Sequence, residues 1–88
     1  MHELSLMNDL MRKIETLRRT HGGGRVVRVR VALGAWSHVS PDHFREHFEQ
    51  ASRTTAVEGA LLEIETRDDW RDAGAQDVVL DSVEVAEA

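Results

Sequence analysis

The chain has 88 residues, of which 41% are hydrophobic and 31% charged, so we expect one small domain with a thin core. Its 11 basic and 16 acidic residues give a net charge of -5, which argues against general nucleic-acid binding because that requires a basic face. The absence of cysteine excludes disulfides, thiolate metal sites and thiol nucleophiles. With no apolar run long enough to span a bilayer and no signal-peptide core, the sequence predicts a cytoplasmic protein without a membrane partner.

The first predicted element is an amphipathic helix over residues 4–19. Its apolar side chains recur every three or four positions, which is the spacing of one helix face. Basic residues gather near its end, where the helix dipole favours them. The glycines at 22–24 predict a turn that ends the helix. The stripe consists of Met7, Leu10, Ile14 and Leu17, widened by Leu6 and Met11.

The second predicted element is a strand over residues 25–33. Val27, Val29, Val31 and Leu33 alternate with other residues, so they are expected to share the buried face of a sheet. Gly34 ends this strand, and a short connection follows it.

The second half of the chain predicts one more helix and two strands. Ser40-Pro41 is typical of a helix start, because serine caps the free amides and proline suits the first turn. The helix is expected to run to about Ser52, with strands at residues 60–66 and 78–85. Asp81 interrupts the last strand and leaves its facing ambiguous. The predicted fold is α+β: a three-stranded mixed sheet with two helices on one face, in the order helix-strand-helix-strand-strand, as a single domain of residues 1–88.

The strongest local indication of chemistry is the first three residues, Met1-His2-Glu3. An α-amine titrates near neutral pH, and His2 adds an imidazole within chelating reach. The amides of His2 and Glu3 lie next in line, and planar nitrogen donors suit the tetragonal geometry of Ni(II) or Cu(II). The alternative is that the three residues are only the lead into the first helix, where Glu3 is favourable at the positive end of the dipole.

Two further patterns are ambiguous. His43-Phe44-Arg45-Glu46-His47 matches the H-x-x-E-H pattern of some zinc peptidases, with both histidines on one helix face. A peptidase needs a third ligand and an enclosed cleft, so a solvated helix face is the simpler interpretation, and weak Ni or Zn capture stays open. The two tryptophans, Trp36 and Trp70, fall in predicted connections, where they either cover the core or contact a partner.

Several segments together resemble the HypA family of hydrogenase nickel-insertion proteins. The N-terminal Met1-His2-Glu3-Leu4-Ser5 is similar to the family's start, where Met-His-Glu leads into the first helix and builds the nickel site. The resemblance extends in register over nearly the whole chain. It rests on Leu33-Gly34-Ala35 with Ser37 and Val39, Phe48-Glu49, Glu58-Gly59-Ala60 with Leu62-Glu63-Ile64, and Asp81-Ser82-Val83-Glu84-Val85.

The resemblance implies a metallochaperone rather than an enzyme, with transient Ni(II) bound by Met1, His2 and Glu3 and no catalytic or cofactor-binding residues. The implied partners are a nickel-enzyme large subunit, as in a [NiFe] hydrogenase, and the nickel-insertion GTPase. The chain departs from the family where members insert a zinc domain with two cysteine pairs, because only the short connection 67–76 stands there. No structural zinc is therefore expected. The alternative is a HypA-like adaptor or small structural subunit of a larger complex that has lost metal delivery.

Overall fold

The computed structural model describes residues 2–34, 40–66 and 78–86, with the backbone alone for residues 2–5. The elements are α1 (His2–Thr20), β1 (Val26–Leu33), α2 (Pro41–Ser52), β2 (Leu61–Thr66) and β3 (Val78–Val85). The predicted α+β class and the order of elements are confirmed. The main difference in the bounds is that α1 begins at His2, two residues earlier than its apolar pattern predicts.

The sheet has the order β2-β1-β3, so β1 is its central strand. β1 pairs with β2 in parallel, with Val29 opposite Leu62 and Val31 opposite Ile64. Parallel neighbours need a crossover connection, and α2 provides it. β1 pairs with β3 in the antiparallel sense, which makes the sheet mixed, as predicted.

Local hydrogen bonds and backbone conformation define the start of α2 and the end of α1. The Ser40 hydroxyl accepts a hydrogen bond from the backbone N–H of His43 at 3.4 Å, and Pro41 occupies the first turn of α2. At the end of α1, Gly22 takes a φ of +100°, which side chains other than glycine rarely adopt. The Gly23 N–H then donates to the Arg18 carbonyl at 2.9 Å, the six-to-one bond of a glycine-terminated helix.

Both helices and the sheet contribute to one hydrophobic core. α1 and α2 contact each other as well as the sheet, in agreement with both helices lying on the same face. This core determines where α1, and therefore its first turn, lies relative to the sheet. Its buried members are Met7, Leu10, Ile14, Val26, Val29, Val31, Leu33, Phe44, Phe48, Val57 and Leu62.

The predicted inward face of β1 is wrong at one position. Val26 is only 2% exposed, whereas Val27, which was expected to face the core, is 40% exposed. The cause is a register shift: Val26 pairs with Val85 and Arg28 with Glu84, so Val27 is an extra residue on β1. Such a bulge offsets the alternation of side chains by one position.

A second bulge explains the ambiguous facing of β3. Arg30 pairs with Ser82 and Val31 with Leu80, which makes Asp81 the extra residue on β3. Side chains before and after Asp81 therefore follow different alternation patterns, and no single period-two pattern fits the strand.

Candidate metal centre

The predicted metal-binding residues lie at the start of α1. His2 and Glu3 form part of its first turn, while Met1 and the side chains of His2 and Glu3 lie outside what the structure describes. The first four N–H groups of an α-helix have no acceptor within the helix. The amide nitrogens of His2 and Glu3 are therefore not engaged by the hydrogen bonds of α1. Whether the three residues converge on one ion stays a prediction.

The core fixes the position of α1. Met7, Leu10 and Ile14 are all buried, at successive turns of one helix face. A helix held along this face presents its first turn in a defined place, so a metal bound there would sit on a rigid support. Residue positioning by a packed helix is more exact than positioning by a loop.

An ion-pair cluster fixes the other end of α1. The Arg18 guanidinium donates to both carboxylate oxygens of Glu15, with one N–O distance of 2.9 Å, and Arg19 donates to the same carboxylate at 3.0 Å. Arg18 also donates to the carbonyl oxygens of Gly23 and Gly24, just past the helix end. These bonds to Arg18, followed by those to Arg19, lower the pKa of the Glu15 carboxyl from its ordinary 4.5 to about 2.

Replacing Glu15 with glutamine is therefore expected to lower the melting temperature modestly at pH 7. Because the folded-state pKa lies below the ordinary value, the ionised carboxylate stabilises the fold above about pH 4.5. That contribution is lost as the pH falls towards 2, so thermal melts of the variant and the wild type should converge there. Asp9→Asn is the control, since the Asp9–Arg12 bridge is long, at 3.5 Å, and largely exposed. A difference that persists unchanged at low pH would contradict the assignment.

A groove of about 790 Å³ lies between α1 and the first half of β3. The periodicity of the sequence did not predict this groove, because it assigned Leu17 to the buried stripe of α1. In the structure, Leu17 is 37% exposed. The groove combines apolar side chains from α1 and β3 with polar side chains from successive turns of α1. Its lining includes Leu6, Leu10, Leu17, Val78 and Leu80, with Asp9, Arg12 and Lys13 among the polar residues.

The histidines of the H-x-x-E-H pattern lie on α2, one turn apart. His43 is exposed and His47 is half-buried, which agrees in part with the predicted solvated face. Within residues 6–34, 40–66 and 78–86, no group of three or more histidine, aspartate and glutamate side chains is placed to hold a metal. The third ligand of a peptidase site is thus missing from this part of the chain.

Other residues singled out by the sequence lie outside the described residues. They are Trp36, Trp70 and the connection 67–76. Of the helices in the described part of the chain, none is both long enough and apolar enough to cross a membrane.

Comparison with solved structures defines the class of fold. The chain superimposes on the solution structure of the Ni metallochaperone HypA from Helicobacter pylori with a TM-score of 0.80, over 98% of each chain and at 19% sequence identity. Agreement at this level of identity establishes that the two proteins share the α+β architecture, and it does not by itself assign a chemical function.

Sequence comparison establishes the family. Residues 1–69 match the family model described as hydrogenase/urease nickel incorporation, metallochaperone, HypA. The hydrogenase maturation factor HypA of Acidithiobacillus ferrooxidans is 41% identical over 66 residues, which is 75% of this chain and 58% of the relative. That of Methylocella silvestris is 38% identical over 65 residues, 74% of this chain and 58% of the relative. The chain therefore belongs to the HypA family, and it spans less than three fifths of the length of these two relatives.

Proposed function

We propose that the protein is a nickel-binding metallochaperone or accessory factor in the maturation of a nickel enzyme such as a [NiFe] hydrogenase. The observation that carries this proposal is the family match, which begins at residue 1 and so includes the predicted nickel-binding residues. Nickel is the cargo in this role. The protein binds and transfers the ion and performs no catalysis.

The proposed site consists of Met1, His2 and Glu3. The α-amine of Met1 and the imidazole of His2 provide two nitrogen donors, and the neighbouring amides can complete a planar set for Ni(II). Glu3 supplies a carboxylate beside them. The helical first turn supports this arrangement because its amides are free of helix hydrogen bonds.

The proposed recipient of the nickel ion is the large subunit of the nickel enzyme. The nickel-insertion GTPase is the proposed partner protein in this delivery. An adaptor or small structural subunit of a larger complex is the second candidate. Two observations favour it: the sequence has no cysteine for the family's zinc domain, and the groove between α1 and β3 offers an apolar surface. Such an adaptor would need no nickel site.

Nickel titration separates the two candidates. Calorimetry of the untagged chain, prepared with a free Met1 amine, should show one tight Ni(II) site per chain under the metallochaperone proposal. Adding residues before Met1 should weaken that site, because the extension turns the basic amine into an amide. The absence of tight binding to the untagged chain would favour the adaptor.

We also expect the fold to be independent of zinc. The chain has no thiolates, and its core is closed by side chains of its own helices and strands. Circular dichroism melts with and without a strong chelator should therefore coincide, and elemental analysis should find no stoichiometric zinc. A large loss of helicity on chelation would reveal a structural metal, since such metals contribute directly to folding free energy.

A further inference from the structure

We infer that His43 and His47 form a second, weaker site for a divalent transition metal, a two-histidine chelate on the surface of α2. This site is separate from the one proposed at the N-terminus and does not depend on it. Its ligand class is late first-row ions, Cu(II), Ni(II) and Zn(II), for which imidazole is a suitable donor.

The geometry of α2 carries this inference. The helix is continuous from Pro41 to Ser52, so His43 and His47 are four residues apart on one face. Side chains at this spacing have Cβ atoms about 5–6 Å apart, close enough for two imidazoles to bind one ion. The same i, i+4 histidine spacing on a helix supplies two ligands in many zinc sites. Water molecules would complete the coordination, since no third ligand converges within the described residues.

The packing of α2 fixes which way this face points. Phe44 and Phe48 are buried, and they hold the helix against the core at successive turns. With the helix held in this orientation, His43 is exposed and His47 is half-buried at the margin of the packed face. The chelate would therefore form on a helix whose backbone does not have to rearrange, which reduces the entropic cost of binding.

Charge around the pair favours a cation. Arg45 is two positions from each histidine, so at 100° per residue it lies far around the helix from both. Its guanidinium donates to the Leu62 carbonyl oxygen at 3.1 Å, which directs this positive charge to β2. Asp42 and Glu46 are exposed on the remaining surface of α2 and add negative charge.

The test uses Cu(II) as the probe, because it binds such donors most tightly. It is carried out on His2→Ala protein with residues added before Met1, so that the N-terminal site does not contribute. The matched variant exchanges two residues, His47→Gln with Gln50→His. Composition and charge are unchanged, but the imidazoles are then seven positions apart, about 10 Å along the axis, too far for one ion.

The exchange should weaken Cu(II) binding about tenfold or more, because the second imidazole no longer binds within the same complex. His43→Gln should do the same, and since His43 is exposed, this variant tests the site even if the exchange disturbs packing. In NMR spectra, substoichiometric Cu(II) should broaden the imidazole signals of His43 and His47 before that of His21. Unchanged affinity in His43→Gln, or broadening of the His21 signal as early as that of His43 and His47, would overturn the inference. Because the N-terminal site is disabled throughout, neither result would bear on the proposed nickel delivery.

Discussion

Replacing His2 with alanine should remove the tight nickel site. The imidazole is the side-chain nitrogen donor of the proposed set, and the α-amine and amides alone make a much poorer chelate. Calorimetric titration of the untagged variant should show a loss of affinity of at least about tenfold, which corresponds to about 1.4 kcal/mol. The visible absorbance of square-planar Ni(II), which gives yellow complexes, should disappear with it.

Two control variants make this test specific. His21→Ala removes one exposed imidazole just beyond the other end of α1, and it should leave the tight site intact. Exchanging His43 and His47 for glutamine should also leave it intact, although the weaker site on α2 would be lost.

Wild-type binding should weaken below about pH 6, where protons compete for imidazole and amine. Cu(II) should bind at least as tightly as Ni(II), so tight copper binding is compatible with a nickel role. Equal nickel curves for the wild type and His2→Ala would contradict the metallochaperone proposal.

Replacing Phe48 with alanine should cost about 3 to 5 kcal/mol in the free energy of unfolding, the usual range for an aromatic residue removed from a core. Phe48 is 2% exposed and belongs to the cluster that joins both helices to the sheet. Small domains are stable by only about 5 to 15 kcal/mol, so the variant should lose a large share of its stability. Urea denaturation followed by circular dichroism measures the change.

A matched control lies on the same helix. Gln50 is exposed, and Gln50→Ala should change the unfolding free energy by less than about 0.5 kcal/mol. If Phe48→Ala were as mild as this control, α2 would not pack as the structure shows. Phe48→Leu should fall between the two, because leucine refills part of the cavity.

Much of the architecture follows from local patterns in the sequence. The apolar spacing of Met7, Leu10 and Ile14 predicts the helix face that is buried in α1, and Ser40-Pro41 marks the start of α2 to the residue. These features depend on the backbone period and on hydrogen bonds between near neighbours, which short segments determine by themselves. The family was also evident from the sequence, and the family model matches residues 1–69.

Some of the candidate sites could likewise be predicted from the sequence, whereas one could be found only in the structure. The sequence predicts Met1, His2 and Glu3 as candidate metal donors, through the chemistry of their groups together with the family resemblance, and this stays a prediction. It also presents the histidine pair as a candidate through its spacing. The groove between α1 and β3 could not be found in this way. It joins residues more than 50 positions apart, and only the packing of β3 against the sheet brings them together.

The direction in which particular side chains point was decided by the tertiary structure. Val27 fits the inward alternation of β1, yet a bulge opposite Val85 and Glu84 turns it outward and places Val26 in the core. Asp81 occupies the corresponding extra position on β3. Leu17 continues the apolar stripe of α1, yet it is 37% exposed and lines the groove between α1 and β3. A strand's own sequence specifies alternation, whereas the register of two strands depends on contacts between distant segments, and it is the register that determines where alternation is interrupted.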